Sequence, residues 1–199
     1  MFLTDRKLER RIEEIEQYRY RDIIEFKTFA AAEEEQGVVN PKLPTSHEQG
    51  TEKWYTLNTG DTWKGRDCFV WLHKDIAVPA EWKGKKVVGV FDFGNTGGGN
   101  NSGFESMAYV NGKMYQGVDV NHKELFFEED LCGTTVELTF RLWSGLEGGG
   151  VPKEQEHRIA RADLAWLDEK VDDFYYMSLM VRQTLDELSD SEPIQHELR

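Results

Sequence analysis

The chain has 199 residues, of which 39% are hydrophobic and 12% aromatic, and its formal net charge at pH 7 is −13. This composition excludes an intrinsically disordered chain, and the negative charge argues against nucleic acid and anionic membranes as partners. The two cysteines, Cys68 and Cys132, form no CxxC pair, and the sequence shows neither a signal peptide nor an apolar stretch of about 18 residues. We therefore expect a cytoplasmic protein without a membrane or nucleic-acid partner.

The N-terminal part of the chain has the spacing of an amphipathic helix. Leu8, Ile12 and Ile15 fall on one stripe, which predicts a helix over residues 4–35. We accordingly assign residues 1–36 to an N-terminal helical segment.

The central part of the chain changes to a period of two. Residues 37–66 are interrupted by proline and glycine, so we expect a connecting segment with one short strand at "KWYTL". About eight short alternating runs follow, each rich in Val, Phe, Tyr or Trp and bounded by Gly, Asn or Pro. They include "CFVWLHKDIAVP", "VVGVFDF" and "TVELTFRLW". The pattern predicts a mostly β fold in which residues 67–168 form an antiparallel jelly-roll β-sandwich, flanked by α-helical segments at both ends.

Helical spacing returns near Glu169. Apolar residues between Val171 and Leu188 recur at i, i+3 and i+4 before a polar end, "SDSEPIQHELR". Residues 169–199 are therefore predicted to form a helix and a linker.

The stretch "SMAYVNGKMYQGVDVNH" (residues 106–122) contains the main candidate site. Asn111-Gly112 lies between two alternating runs and predicts a β-hairpin with a two-residue type I′ turn. Four polar side chains then cluster where the second strand ends: Gln116, Asp119, Asn121 and His122. We interpret them as candidates for contact with a substrate rim or a neighbouring domain, while the alternative is an ordinary polar end of a hairpin.

Other chemically suggestive residues favour structural interpretations. The glycine-rich stretch 94–103 lacks the Gly-Lys-Ser/Thr and the helix of a phosphate-binding loop. His73 and Asp75 form a His-x-Asp pair on a strand, but a zinc site needs further ligands. We assign no catalytic and no metal-binding residue. Single positions are interpreted as follows: His157 and His196 at the surface, Cys68 and Cys132 buried, Trp71 and Trp143 in the core, and Trp82 packing a turn.

Several segments, in their order, resemble one enzyme family. "DIAVPAEWKGKKVVGVFDFG" and "ESMAYVNGKMYQGVDVNHKEL" are similar to the first β-domain of the cytosolic-type α-mannosidases of glycoside hydrolase family 38. "KLERRIEEIEQYRYRD" resembles that family's N-terminal helix, and "DDFYYMSLMVRQTLDEL" its helical connection into the catalytic domain. The resemblance covers essentially the whole chain. The part from "VPAEWKGK" to "VNGK" alone resembles the galactose-binding-like jelly rolls attached to many glycosidases.

The resemblance implies a fragment without the catalytic domain. In the family that domain opens with a His-x-Asp zinc motif, whereas "RADLAWLDE" has Arg161 where the histidine would stand. The complete enzyme would be a zinc-dependent retaining glycosidase that removes terminal α-mannose. This chain should be inactive alone and hold no cofactor, since the implied zinc belongs to the missing domain.

Three roles stay open for the chain at this point. It could be a non-catalytic N-terminal domain that packs on the catalytic domain of the same polypeptide and shapes it. It could also be a self-sufficient carbohydrate-binding module, or an oligomerisation or interaction domain, with a homo-oligomer as one possibility.

Overall fold

The computed structural model of the protein describes residues 2–34, 43–44, 54–94, 104–146 and 151–188, with side chains from Arg6 onward. The described part contains the following helices and strands: α1 (Phe2–Glu16), β1 (Tyr20–Glu25), β2 (Thr28–Glu33), β3 (Tyr55–Asn58), β4 (Thr62–Gly65), β5 (Phe69–Ala77), β6 (Lys86–Asp92), β7 (Glu105–Val110), β8 (Lys113–Asp119), β9 (Glu124–Phe126), β10 (Thr135–Trp143), β11 (Gln155–Arg158), β12 (Arg161–Leu167) and α2 (Glu169–Glu187). The chain divides into two compact units, a helical unit of residues 1–23 and 165–199 and a β unit of residues 24–164.

Antiparallel sheets build the β unit. A six-stranded sheet has the order β3-β2-β5-β10-β7-β8, a four-stranded sheet has the order β1-β12-β6-β9, and β4 pairs with β11. Every pairing in the six-stranded sheet is antiparallel. The predicted fold class, a mostly β jelly-roll sandwich with helices at both ends, is thereby confirmed.

The core of the β unit is aromatic. Phe91, Phe93 and Phe140 are fully buried, and the ring of Phe140 lies 4.7 Å from that of Phe91 and 4.9 Å from that of Phe93. The bounds of β10 are those of the predicted run "TVELTFRLW". Its alternating residues Val136, Leu138 and Phe140 are fully buried, as the period of two predicts. Each such side chain contributes about 1.5–3 kcal/mol by leaving water.

The prediction of a helix over residues 4–35, and of a helical segment over 1–36, was wrong beyond the first turns. α1 ends at Glu16, and β1 and β2 follow it. In β2, Phe29, Ala31 and Ala32 are buried while Thr28, Ala30 and Glu33 are exposed. The strand pairs with β5 and β3. Local helix propensity is a weak preference that sheet pairing overrides. The sheets therefore begin before residue 67. β3 overlaps the short strand predicted at "KWYTL", whereas β4 lies in what was predicted to be a connecting segment.

The helical unit is organised around a buried arginine. Arg19 is 5% exposed, and its Nε donates to Asp172 Oδ1 at 2.6 Å. Its guanidinium also lies 5.0 Å from the ring of Tyr175 and 4.8 Å from that of Tyr176. Asp168 caps α2 by accepting a hydrogen bond from the amide of Val171, a contact that contributes about 1 kcal/mol. The predicted helix from Glu169 is confirmed.

Candidate functional site

The hairpin between β7 and β8 has the predicted turn. Asn111 and Gly112 have φ values of 51° and 74°, and positive φ at both central positions is what a type I′ turn requires. The Asn111 carboxamide oxygen also accepts a hydrogen bond of 2.9 Å from the Glu137 amide of β10. The turn is therefore fixed both by its own backbone preference and by the adjacent strand.

Gln116 bridges two sheet edges. β8 is the last strand of the six-stranded sheet, and β9 is the last strand of the four-stranded sheet. The Gln116 side chain donates to the carbonyl of Glu124 at 2.7 Å, and the Tyr115 hydroxyl donates to the carbonyl of Phe126 at 2.8 Å. Side chains of β8 thus bond to the backbone of β9 and connect the two sheets.

Asp119 organises the turn that follows β8. Its Oδ1 accepts hydrogen bonds from the amides of Asn121 at 2.7 Å and His122 at 2.8 Å, and His122 Nδ1 lies 3.1 Å from it. Partial burial raises the pKa of Asp119, but the hydrogen bonds from the His122 ring and from the two amides outweigh it, so that the pKa is lowered. The carboxylate is therefore ionised at neutral pH and already has three donors.

Of the four predicted site residues, the structure brings three together and places Gln116 on the β9 edge. Asn121 and His122 are exposed, whereas Gln116 and Asp119 are partly buried. Substrate or domain contact by these four residues stays a prediction.

The His-x-Asp pair on β5 contributes to a polar cluster. His73 is 6% exposed, and its Nδ1 lies 3.0 Å from Thr139 Oγ1. Asp75 lies 3.6 Å from Nε2, and Glu137 lies 3.9 Å from Nδ1. Within the described ranges, no three His, Cys, Asp or Glu residues are arranged to hold a metal ion. Most of the glycine-rich stretch (residues 95–103) lies outside the described residues.

The prediction that His157 lies at the surface was wrong. The residue is 1% exposed, and its ring stacks on Trp63 at 4.4 Å. Its Nε2 lies 2.8 Å from the carbonyl of Ser144, and no hydrogen-bond partner among the described residues meets Nδ1. Burial lowers the pKa of His157, and the hydrogen bond to Ser144 only partly opposes this. The alternation of "HRI", which places His157 and the buried Ile159 on one face, was the signal that could have revealed it.

The remaining single residues show mixed outcomes. Trp71 and Trp82 are buried as predicted. Trp143, by contrast, lies at a partly exposed position and donates to Asp67 at 2.9 Å, so its assignment to the core was wrong. Cys68 and Cys132 are half-buried thiols rather than fully buried ones, and His196 lies outside the described residues.

Sequence reasoning missed a cleft beside β3. This β3 cleft has a volume of about 470 Å³. Its lining combines carboxylates, a lysine, hydroxyls and an apolar floor: Glu33, Tyr55, Leu57, Thr62, Trp63, Lys64, Val70 and Glu154. Burial raises the pKa of Tyr55, and the nearby carboxylate of Glu33 raises it further. The phenol is therefore protonated at neutral pH and can donate a hydrogen bond.

The fold and its edges define a jelly-roll β-sandwich domain. A family described as "Alpha-mannosidase, jelly roll domain" matches residues 32–162, which is more than half of the chain. The chain belongs to this family. No curated protein matches it in sequence.

Solved structures of two bacterial glycosidases are similar to the chain. For the Faecalibacterium prausnitzii beta-glucuronidase, the sequence identity is 12%, the match covers 73% of this chain and 31% of that one, and the TM-score is 0.49. For the Ruminococcus gnavus b-glucuronidase in complex with N1-substituted uronic isofagomine, the identity is 10%, the coverage is 74% and 30%, and the TM-score is 0.49. The chain thus spans about a third of the length of these structures.

Proposed function

We propose that this chain is the non-catalytic N-terminal domain of an α-mannosidase, a glycosidase that removes terminal α-mannose, and that it packs on the catalytic domain of the same polypeptide. The match of the alpha-mannosidase jelly roll family to residues 32–162 carries the proposal. Membership of glycoside hydrolase family 38, cytoplasmic location and mannose metabolism belong to the same proposal. In the described part of the chain, neither helix is both long and apolar enough to cross a membrane.

The surface of α2 supports docking on another domain. Phe174, Met177 and Met180 are 57%, 65% and 65% exposed, and their spacing of three places them along one side of the helix. We call these three residues the α2 stripe. Contiguous exposed apolar surface of this kind is typical of interaction sites. The proposal assigns the α2 stripe to the contact with the catalytic domain. The exposed Asn121 and His122 of the β unit are a separate candidate for domain contact.

The zinc of the proposed parent enzyme finds no ligand set among the described residues. The proposal assigns zinc chemistry to the catalytic domain, and the part of this chain is to position that domain. On this proposal, the isolated chain does not hydrolyse mannosides.

Substitution of the α2 stripe in the full-length parent enzyme tests the docking. The triple variant Phe174→Glu, Met177→Glu and Met180→Glu should lower the hydrolysis of a p-nitrophenyl α-mannoside at least about tenfold, because three carboxylates would be buried in the contact. Lys170→Glu combined with Gln183→Glu is a matched control, since it adds the same three negative charges at exposed positions of α2.

Two results would contradict the proposal. The first is a parent polypeptide that hydrolyses no α-mannoside. The second is a triple variant whose activity and thermal unfolding match those of the control.

A further inference from the structure

Two polar residues of the β3 cleft occupy inward-facing positions of the six-stranded sheet. Residues directly opposite each other in an antiparallel pair share a face. Tyr55 pairs with Ala31, and Glu33 pairs with Val70. Ala31 and Val70 are buried against the core, so Tyr55 and Glu33 extend two neighbouring cross-strand rows of apolar residues.

The polar groups of Glu33 and Tyr55 have no hydrogen-bond partner within the described part of the chain. Both residues are exposed at the cleft. Among the described residues, none makes a hydrogen bond with the Glu33 carboxylate or the Tyr55 hydroxyl. The hairpin end differs in this respect, since the Asp119 carboxylate there already accepts hydrogen bonds from its own turn.

The opposite wall and the floor complete a mixed lining. Thr62 and Lys64 of β4 and the exposed Glu154 add donors and acceptors. Lys64 forms an ion pair of 3.5 Å with Glu156, but both side chains are more than half exposed, and such pairs are weak. Leu57, Trp63 and Val70 form a buried apolar floor. The lining of the cleft thus combines exposed polar side chains with buried apolar ones.

We propose that the β3 cleft binds a saccharide unit. Its carboxylates accept hydrogen bonds, its lysine donates them, and its hydroxyls do both, which matches the vicinal hydroxyls of a sugar. The ring of Tyr55 can pack against the apolar face of a pyranose. The two carboxylates of Glu33 and Glu154 would repel a phosphate ligand. The charged amine of Lys64 would repel an organic cation. The volume of about 470 Å³ lies within the range of about 300–1,000 Å³ for small-molecule sites.

This site goes beyond the proposed docking role. It uses residues of the β unit alone, between Glu33 and Glu154, and none of the α2 stripe. Sugar binding and docking can therefore fail separately, and the two experiments distinguish the failures.

An NMR titration of the 199-residue chain tests the site. The probes are methyl α-D-mannopyranoside, an α-linked mannobiose and maltose, with tetramethylammonium as a cation probe. We expect saturable amide shifts at Glu33, Tyr55 and Lys64 with at least one sugar, at dissociation constants of about 1–10 mM. Tetramethylammonium should give none.

Variants connect the shifts to the cleft. Tyr55→Ala and Glu33→Gln should each weaken binding at least about tenfold, which is the loss expected when a stacked ring or a charged hydrogen bond is removed. Tyr18→Ala and Glu105→Gln are the matched controls, because both positions are exposed and lie outside the cleft lining. Glu33→Gln is nearly isosteric and is expected to keep the fold, as one-dimensional spectra would show.

Three outcomes would overturn the proposal: no saturable shift with any sugar at about 20 mM, shifts confined to residues 119–122, or a response to tetramethylammonium alone. Unchanged binding in both cleft variants would also contradict it.

Discussion

Two regions of the β unit carry similar polar side chains and use them differently. After β8, Gln116 and Asp119 hydrogen-bond to backbone groups of β9 and of their own turn. At the β3 cleft, Glu33 and Tyr55 extend two inward-facing rows and line the cleft, with no hydrogen-bond partner among the described residues. The residue types alone would rank the first region as the better ligand site. The hydrogen bonds reverse this order, because groups already bonded to their own chain have little capacity left for a ligand.

The comparison between the two regions depends on a rigid floor under the β3 cleft. Trp63→Ala, which removes part of that floor, should give the largest loss of stability. Trp63 is 3% exposed, stacks on His157 and donates to the carbonyl of Phe93 at 2.8 Å. Its removal should lower the free energy of unfolding by about 3–5 kcal/mol, as measured by urea denaturation.

Tyr55→Ala is the control on the other side of the same cleft, and it should cost at most about 1 kcal/mol. Equal losses for the two variants would show that the cleft has no distinct floor and rim, and the comparison between the two regions would fail.

A structural role for the end of β8 predicts a smaller loss of stability. Asp119→Ala and Gln116→Ala should each lower the free energy of unfolding by about 0.5–1.5 kcal/mol, because backbone groups of the turn and of β9 lose a hydrogen-bond partner. Asn121→Ala is the matched control, since its backbone amide remains and its side chain is exposed. We expect a change within about 0.5 kcal/mol for it.

Stability values that stay unchanged in Asp119→Ala and Gln116→Ala, together with reduced activity of the parent enzyme, would favour the substrate-rim or domain-contact role. In that case, the interpretation of the two regions would be reversed.

The fold was predictable wherever one periodicity extended over a whole element. β10, the hairpin at Asn111-Gly112 and α2 all follow from local pattern, because each buries one regular face or needs one specific turn. The prediction of a helix failed over residues 20–33. Their alanines and glutamates favour a helix locally, but β2 pairs with β5 and β3. Partners more than twenty residues away decide that outcome, and no local pattern contains them.

The β3 cleft was not predictable for the same reason. Glu33 was assigned to a helix, while Tyr55 and Lys64 were assigned to a connecting segment. Only the register that places Tyr55 opposite Ala31 and Glu33 opposite Val70 brings Glu33 and Tyr55 together, and Lys64 comes from β4 of a different sheet. The predicted residues from Gln116 to His122, by contrast, are close together already in the sequence.

His157, behind the floor of the cleft, should make stability depend on pH. Burial lowers its pKa in the folded protein below the ordinary value of 6.5. The unfolded chain therefore binds the proton more readily, and stability is complete above pH 6.5 and declines as the pH falls toward the folded pKa. One proton changes the free energy of unfolding by at most about 1.4 kcal/mol per pH unit.

Urea denaturation at several pH values between about 7.5 and 5.5 measures this dependence. His157→Gln, which keeps a donor for the Ser144 carbonyl, should show a flatter dependence than the wild type. Identical slopes would mean that His157 is as readily protonated in the folded protein as in the unfolded one.

The smallest expected effect is a change in the pKa of Tyr55. This pKa reports on the distance between the Tyr55 phenol and the Glu33 carboxylate in the β3 cleft. Burial is the larger cause of the raised pKa and the carboxylate of Glu33 is the smaller one. Glu33→Gln should therefore lower the pKa of Tyr55 but leave it above 10, because the burial remains. Tyrosinate absorbance during alkaline titration measures the change, and subtraction of the Tyr55→Phe titration isolates the one residue. Glu105→Gln, at an exposed position on β7, should leave the curve unchanged. A Tyr55 pKa that does not respond to Glu33→Gln would mean that the two groups do not share the cleft, and the contrast with the self-bonded turn at Asp119 would lose its basis.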